Sequence, residues 1–179
     1  MLYLLVRKYK PKVVVETGVA KGLSTAYILC AMHENGKGHL YSVDLPPKLA
    51  ATREIDCGST HTYQLADGQS HNEFSVGYFV PDSVKTRWTL VLGNAHKELP
   101  PLLDKLGKID MFFHDSLHTF EHMQWEYETV WPYITDGGLL LSHDVLWNRA
   151  FYDKCKTCNR KATIYQTLGI LKKESSPTR

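Results

Sequence analysis

The feature that most constrains this chain is a β-branched run, Val13-Val-Val15, that meets Glu16-Thr-Gly-Val-Ala-Lys-Gly22 without a break. Consecutive branched apolar residues read as a strand buried on both faces. The glycines let the chain turn tightly out of that strand. With no Cβ, they also let backbone amides approach a ligand closely. Ser24 to Met32 then carries apolar residues at helical spacing, and Asn35-Gly36 ends the helix. His39-Leu-Tyr-Ser-Val-Asp44 is a second short strand, closed by Pro46-Pro47. Strand, loop, helix and strand in this order are the unit of a parallel α/β sheet.

The same alternation returns further on. Trp88 to Leu92 reads as a strand, His96 to Leu106 as a short amphipathic helix, and Ile109 to His114 as another buried strand. Thr119 to Tyr133 is a long helix with Phe120, Met123, Tyr127, Val130 and Trp131 on one stripe. Asp136-Gly137-Gly138 reads as a turn, and Leu139 to His143 as a fifth strand. Gln166 to Leu171 resembles a final strand, and residues 1–10 read as a helix end leading into the first strand. Residues 46–86 hold no periodicity and read as a functional lid or insertion, with a helix expected within Phe74 to Val84.

Composition narrows the function classes. The chain has 179 residues, 43% of them hydrophobic, which suits one domain over 1–179. A formal net charge of +2 is too small to argue for a nucleic-acid surface. No stretch approaches the ~20 apolar residues that span a bilayer, so neither nucleic acid nor membrane is an expected partner. The N-terminus has the wrong order of charges for a secretory signal, and a cytoplasmic protein is the default. Cys155-Lys-Thr-Cys158 stands alone, whereas a structural zinc site needs four ligands. The basic run Lys154 to Lys161 therefore reads as a solvated loop with two free thiols.

In a doubly wound sheet, ligands bind beyond the carboxyl ends of the strands. Here those ends are Glu16-Thr17-Gly18, Asp44, Gly93-Asn94, His114-Asp115 and His143-Asp144, nearly all polar or glycine. The glycine loop matches neither GxGxxG nor GxxxxGK[ST]. Asp44 lies about 20 residues past it, where an acidic side chain accepts both hydroxyls of an adenosine ribose.

The order of these features resembles the class I S-adenosylmethionine-dependent methyltransferases. Val13 to Ser24 is similar to their first motif and Tyr41-Ser-Val-Asp44 to their second. Leu92 to Leu103 is similar to the third-strand region, where adenine is contacted. Ile109 to Asp115 and Gly137 to Asp144 fill the fourth and fifth blocks. The likeness is closest to a small-molecule O-methyltransferase branch whose fourth block reads Asp-x-x-His. It implies a mostly parallel, seven-stranded Rossmann-like sheet and transfer of a methyl group to a hydroxyl of a small-molecule acceptor. It implies cofactor contacts at Glu16, Thr17, Gly18, Gly22, Ser24, Asp44, Asn94, Ala95 and Asp115. The sequence leaves the oligomeric state open, a homo-oligomer included.

His114-Asp-Ser-Leu-His118 and Ser142-His-Asp144 follow strands expected to be neighbours. Asp115, His143 and Asp144 are expected to share a divalent cation, magnesium or manganese, with Asp115, His143 and His118 as the catalytic groups. The fifth block departs from the catechol-type Asp-Asn and the macrolide-sugar-type Glu-Asp. A His/Asp set favours manganese, iron or zinc, or else a metal-free histidine base. His118 is also expected near the start of the following helix, where capping is its structural role. His122 is expected on that helix's exposed face, and Trp125, Tyr127 and Trp131 in the core. Trp147 is expected to line the acceptor pocket. Rival readings are a nicotinamide-dependent oxidoreductase, a non-catalytic relative, and a metal site serving hydroxylation or hydrolysis.

Overall fold

The computed structural model describes residues 1–45 and 76–174. Helix α1 (Leu2–Tyr9) leads to β1 (Val13–Thr17), α2 (Leu23–Glu34) and β2 (His39–Asp44). A 3-10 turn over Asp82–Arg87 precedes β3 (Trp88–Leu92), α3 (Ala95–Leu106), β4 (Ile109–His114), α4 (Phe120–Val130) and β5 (Ile134–Ser142). The chain then forms α5 (Ala150–Thr157), β6 (Thr163–Tyr165) and β7 (Leu168–Lys172).

The seven strands form one sheet in the order β3-β2-β1-β4-β5-β7-β6. The first five are parallel, while β7 runs antiparallel to β5 and β6 antiparallel to β7. Strand order reverses between β1 and β4, so the switch point falls at the carboxyl ends of these two strands.

Both faces of the sheet are covered, which is why its strands read as unbroken apolar runs. On one face Val14, Met111, Leu139 and Leu141 pack with Ile28, Leu29 and Met32 of α2 and with Leu5 and Val6 of α1. On the other, Val15, Phe112 and Leu140 pack with Leu99 and Leu103 of α3, Met123 and Tyr127 of α4, and Phe151 of α5. Burial of each such side chain contributes about 1.5–3 kcal/mol.

Several expectations need correcting. Asp136-Gly137-Gly138 is not a turn between elements but lies inside β5. The register against β4 shifts between Ile109 and Met111, and Gly137 at φ 81° absorbs the irregularity. Lys154 to Lys161 is not a solvated loop. Its first half ends α5, where Lys154 is buried, pairs with Glu128 at 3.0 Å and lies over the Trp131 ring. Cys155 is buried too, and burial pushes its thiol up to about 11, which makes it unreactive. The final strand is one arm of a hairpin turned at Gln166, whose φ is 56°.

Most of the expected lid, residues 46–75, lies outside the described residues. Its last part is described: Gly77 N–H and Phe79 N–H donate to the carbonyls of Ala20 and Lys21. Among the described residues, no helix is long and apolar enough to cross a membrane.

Candidate active site

The carboxyl edge of the sheet is laced by backbone hydrogen bonds that extend the ladder past the strands. Gly18 N–H donates to Val43, Gly93 N–H to Asp44, Asp115 N–H to Thr17 and His143 N–H to His114, all at 2.8–2.9 Å. The five polar strand ends are thereby gathered along one rim.

The glycine loop is bent by three left-handed residues, Gly18, Ala20 and Gly22 at φ 84°, 47° and 87°. A Cβ on Gly18 would collide with the backbone carbonyl of Asp115, so only glycine lets the β1 and β4 loops touch. Asp44 reaches back to the loop, its Oδ2 accepting from Ala20 N–H at 3.0 Å and its Oδ1 from Leu45 N–H at 3.0 Å. Burial raises the Asp44 pKa, and backbone amides oppose the rise.

Beneath the loop, Glu16 is fully buried. Ser24 donates to its Oε1 at 2.9 Å, and Thr25 and Ser42 donate to its Oε2 at 2.8 and 2.7 Å. Trp88 Nε1–H closes this network by donating to Ser42 at 2.9 Å. Burial lifts the Glu16 carboxyl to about 7 against the pull of the three hydroxyls. Glu16 and Ser24 thus hold each other under the loop. Thr17 turns to the opposite face, where its hydroxyl donates to Glu126 at 2.7 Å. On the β3 side, Asn94 Oδ1 accepts from His96 N–H at 2.8 Å and caps α3, with Ala95 as the first helical residue.

Across the switch point, Asp115, His118 and His143 bring one ligand atom each within 4.8 Å of one another. His143 Nδ1 lies 3.0 Å from Asp115 Oδ1 and 3.6 Å from Asp144 Oδ1, so Asp144 flanks the trio. His118 Nε2 is 3.8 Å from Asp115 Oδ1 and is buried without a hydrogen-bond partner among the described residues. Burial raises Asp115 to about 6 against its histidine neighbours, and burial lowers His118 to about 4. Two imidazoles and a carboxylate with an unpartnered nitrogen are a donor set suited to a transition-metal cation.

The structure also corrects two sequence readings here. Thr119, not His118, caps α4. His122 is not on an exposed face: it is buried, with Nε2 2.9 Å from Glu126 Oε1. Trp125 and Trp131 are partly buried against the core and Tyr127 is fully buried, as expected. Trp147 is 69% exposed and its ring centroid lies 5.2 Å from that of His118, at the mouth of the trio.

Sequence reasoning missed Glu126 and named His114 only as a strand end and cluster member without a role; both are fully buried, and the centroid of the His114 ring lies 5.0 Å from that of His118. The available signal was the His122-x-x-x-Glu126 spacing, which puts both side chains on one helix face. That face is shared with Met123 and Tyr127, so it points into the core.

Residues 15–145 match the family described as a methyltransferase domain. The chain belongs to that family. No curated protein matches it. Three solved methyltransferase structures share the fold of this chain. TomG from Streptomyces achromogenes, an O-methyltransferase of tomaymycin synthesis in complex with SAM, is 18% identical with a TM-score of 0.58, over 85% of this chain and 57% of that one. An O-methyltransferase from Bacillus cereus in complex with SAH is 14% identical with a TM-score of 0.66, over 96% of this chain and 79% of that one. The SAH-bound Podospora anserina methyltransferase PaMTH1 is 15% identical with a TM-score of 0.66, over 97% of this chain and 76% of that one. The chain thus spans between 57% and 79% of these three relatives' lengths.

Proposed function

We propose that this chain, as one domain over 1–179, is an S-adenosylmethionine-dependent methyltransferase that acts on a hydroxyl of a small molecule. The observation that carries the reading is the meeting, at one switch point, of a glycine loop braced by Asp44 with the Asp115–His118–His143 cluster. S-adenosylmethionine supplies a methyl group already activated on a sulfonium, so the protein's task is positioning. Gly18 to Gly22 offers backbone amides, with Glu16 and Ser24 fixing the loop from below and Thr17 anchoring the end of β1 on the opposite face. Asp44 offers its carboxylate to the ribose hydroxyls, and Asn94 and Ala95 flank the adenine. Asp115 stands between the cofactor side and the acceptor side.

Asp115, His118 and His143, with Asp144 beside them, form the acceptor side. The unpartnered His118 Nε2 and the short distances among the three support a divalent cation there. Such a cation lowers the pKa of a bound hydroxyl. Two imidazole donors favour manganese or a later transition metal over magnesium. Trp147 lines the mouth. The unbonded thiols of Cys30, Cys155 and Cys158 support a reducing, cytoplasmic setting.

The test is calorimetric titration of metal-stripped protein with S-adenosylmethionine, and with NADH as a control. Saturable binding of the first alone is expected. Asp44→Ala removes two hydrogen bonds to a charged acceptor, together about 3 kcal/mol, and should weaken binding about 100-fold. Absence of S-adenosylmethionine binding to the intact protein overturns the reading.

A further inference from the structure

A second polar centre lies under the candidate site, and no step of the proposed reaction uses it. Glu126 is fully buried on α4 and accepts on both oxygens. Thr17 Oγ1–H and His114 Nδ1 meet its Oε2 at 2.7 and 2.6 Å. Ser116 Oγ–H and His122 Nε2 meet its Oε1, both at 2.9 Å. A carboxylate has about four lone-pair sites, and here all are filled. The donors come from three places: the end of β1, the end of β4 with its loop, and α4.

This arrangement costs more than a merely structural contact would require. Burying a carboxylate carries a desolvation penalty, and an apolar side chain fills such space at least as well. The β1–β4 pair is already held by its own ladder. What Glu126 adds is a hold on the loop that follows β4. Ser116 lies next to Asp115, and the His114 ring, fixed through Nδ1, stands edge-on to the His118 ring at a centroid distance of 5.0 Å. The loop's other end is held by Asn148, whose Nδ2 donates to the His118 carbonyl at 3.0 Å.

We propose that Glu126 is a positioning residue: through Ser116 and His114 it sets the Asp115–His118 loop so that Asp115, His118 and His143 converge. This rests on the cation reading of the site given above. Glu126 touches no reacting atom and acts through the residues it holds. Its hydrogen-bond pattern also fixes the tautomers, with protons on His114 Nδ1 and His122 Nε2.

Glu126→Gln keeps the shape but puts an NH2 where two donors converge. The probes are manganese(II) alone, followed by electron paramagnetic resonance, and S-adenosylmethionine, followed by calorimetry. In folded Glu126→Gln, manganese affinity should fall at least tenfold while S-adenosylmethionine affinity stays within threefold of wild type. Nitrogen NMR of the imidazoles should show the His114 tautomer change. Manganese affinity within twofold of wild type overturns the proposal, and so does a parallel loss of both affinities, which marks general loosening. If Glu126→Gln does not fold, Ser116→Ala removes a single arm. It should weaken manganese three- to tenfold, and unchanged affinity again overturns the proposal. Wild-type protein that binds S-adenosylmethionine but not manganese sinks the role of Glu126 and leaves methyl transfer standing. The reverse pattern sinks methyl transfer and leaves Glu126 in its role.

Discussion

At the residue scale, the fully buried Glu16 carboxyl is enclosed by three hydroxyl donors at 2.7–2.9 Å. The hydroxyls of Ser24, Thr25 and Ser42 that enclose it are scattered over β2 and α2, and only the folded chain assembles them. Burial raises its pKa in the folded state from 4.5 to about 7. The folded protein therefore holds this proton more tightly than the unfolded chain does. The stability that the proton contributes is fully present below about pH 4.5, falls as the pH rises, and is lost above about pH 7. The upper bound is about 3 kcal/mol across that window. Glu16→Gln should remove this part of the slope and leave the variant more stable than wild type at pH 8. Urea unfolding at pH 5, 6, 7 and 8 checks it. A wild-type-to-variant difference that stays constant with pH would rule the titration out.

At the element scale, the strands were the most legible part. Val13 to Val15, Ile109 to His114 and Leu139 to Leu141 are covered on both faces, so their burial needs no alternation to be seen. The helices that cover them were less legible. α5 places Phe151 and Cys155 inward among four charged or polar neighbours, too few apolar positions to mark a stripe. α4 hid its function for the opposite reason: His122 and Glu126 share the apolar stripe and satisfy each other there, a pairing that composition cannot reveal. Helix α3 yields a prediction. Asn94 serves as its N-cap through Oδ1, and it is also proposed to flank adenine. Loss of the cap in Asn94→Ala should cost about 1 kcal/mol of stability. Chemical denaturation measures that cost, and calorimetry of the same variant measures the adenine contact. A stability loss with unchanged S-adenosylmethionine affinity would confine Asn94 to capping.

At the scale of the whole molecule, the switch point decides what ligand binding does to stability. The proposed cofactor site takes its residues from the ends of β1, β2 and β3, and reaches the β4 loop through the contact of Gly18 with Asp115. A ligand there bridges both halves of the parallel sheet, so it cannot stay bound while either half opens. Its binding free energy then adds to global stability by mass action. At 100 times its dissociation constant, S-adenosylmethionine should add about 2.7 kcal/mol. For a chain of this size each kcal/mol moves the melting temperature by about 2–4 °C, so a rise of about 5–11 °C is expected. NADH at equal concentration should leave the transition where it was, and Asp44→Ala should lose most of the rise. Glu126→Gln, if its role is to position the acceptor loop, should melt lower than wild type and still show the full rise with S-adenosylmethionine. A rise lost in Glu126→Gln but kept in Asp44→Ala would reverse the assignment of the two sides of the switch point.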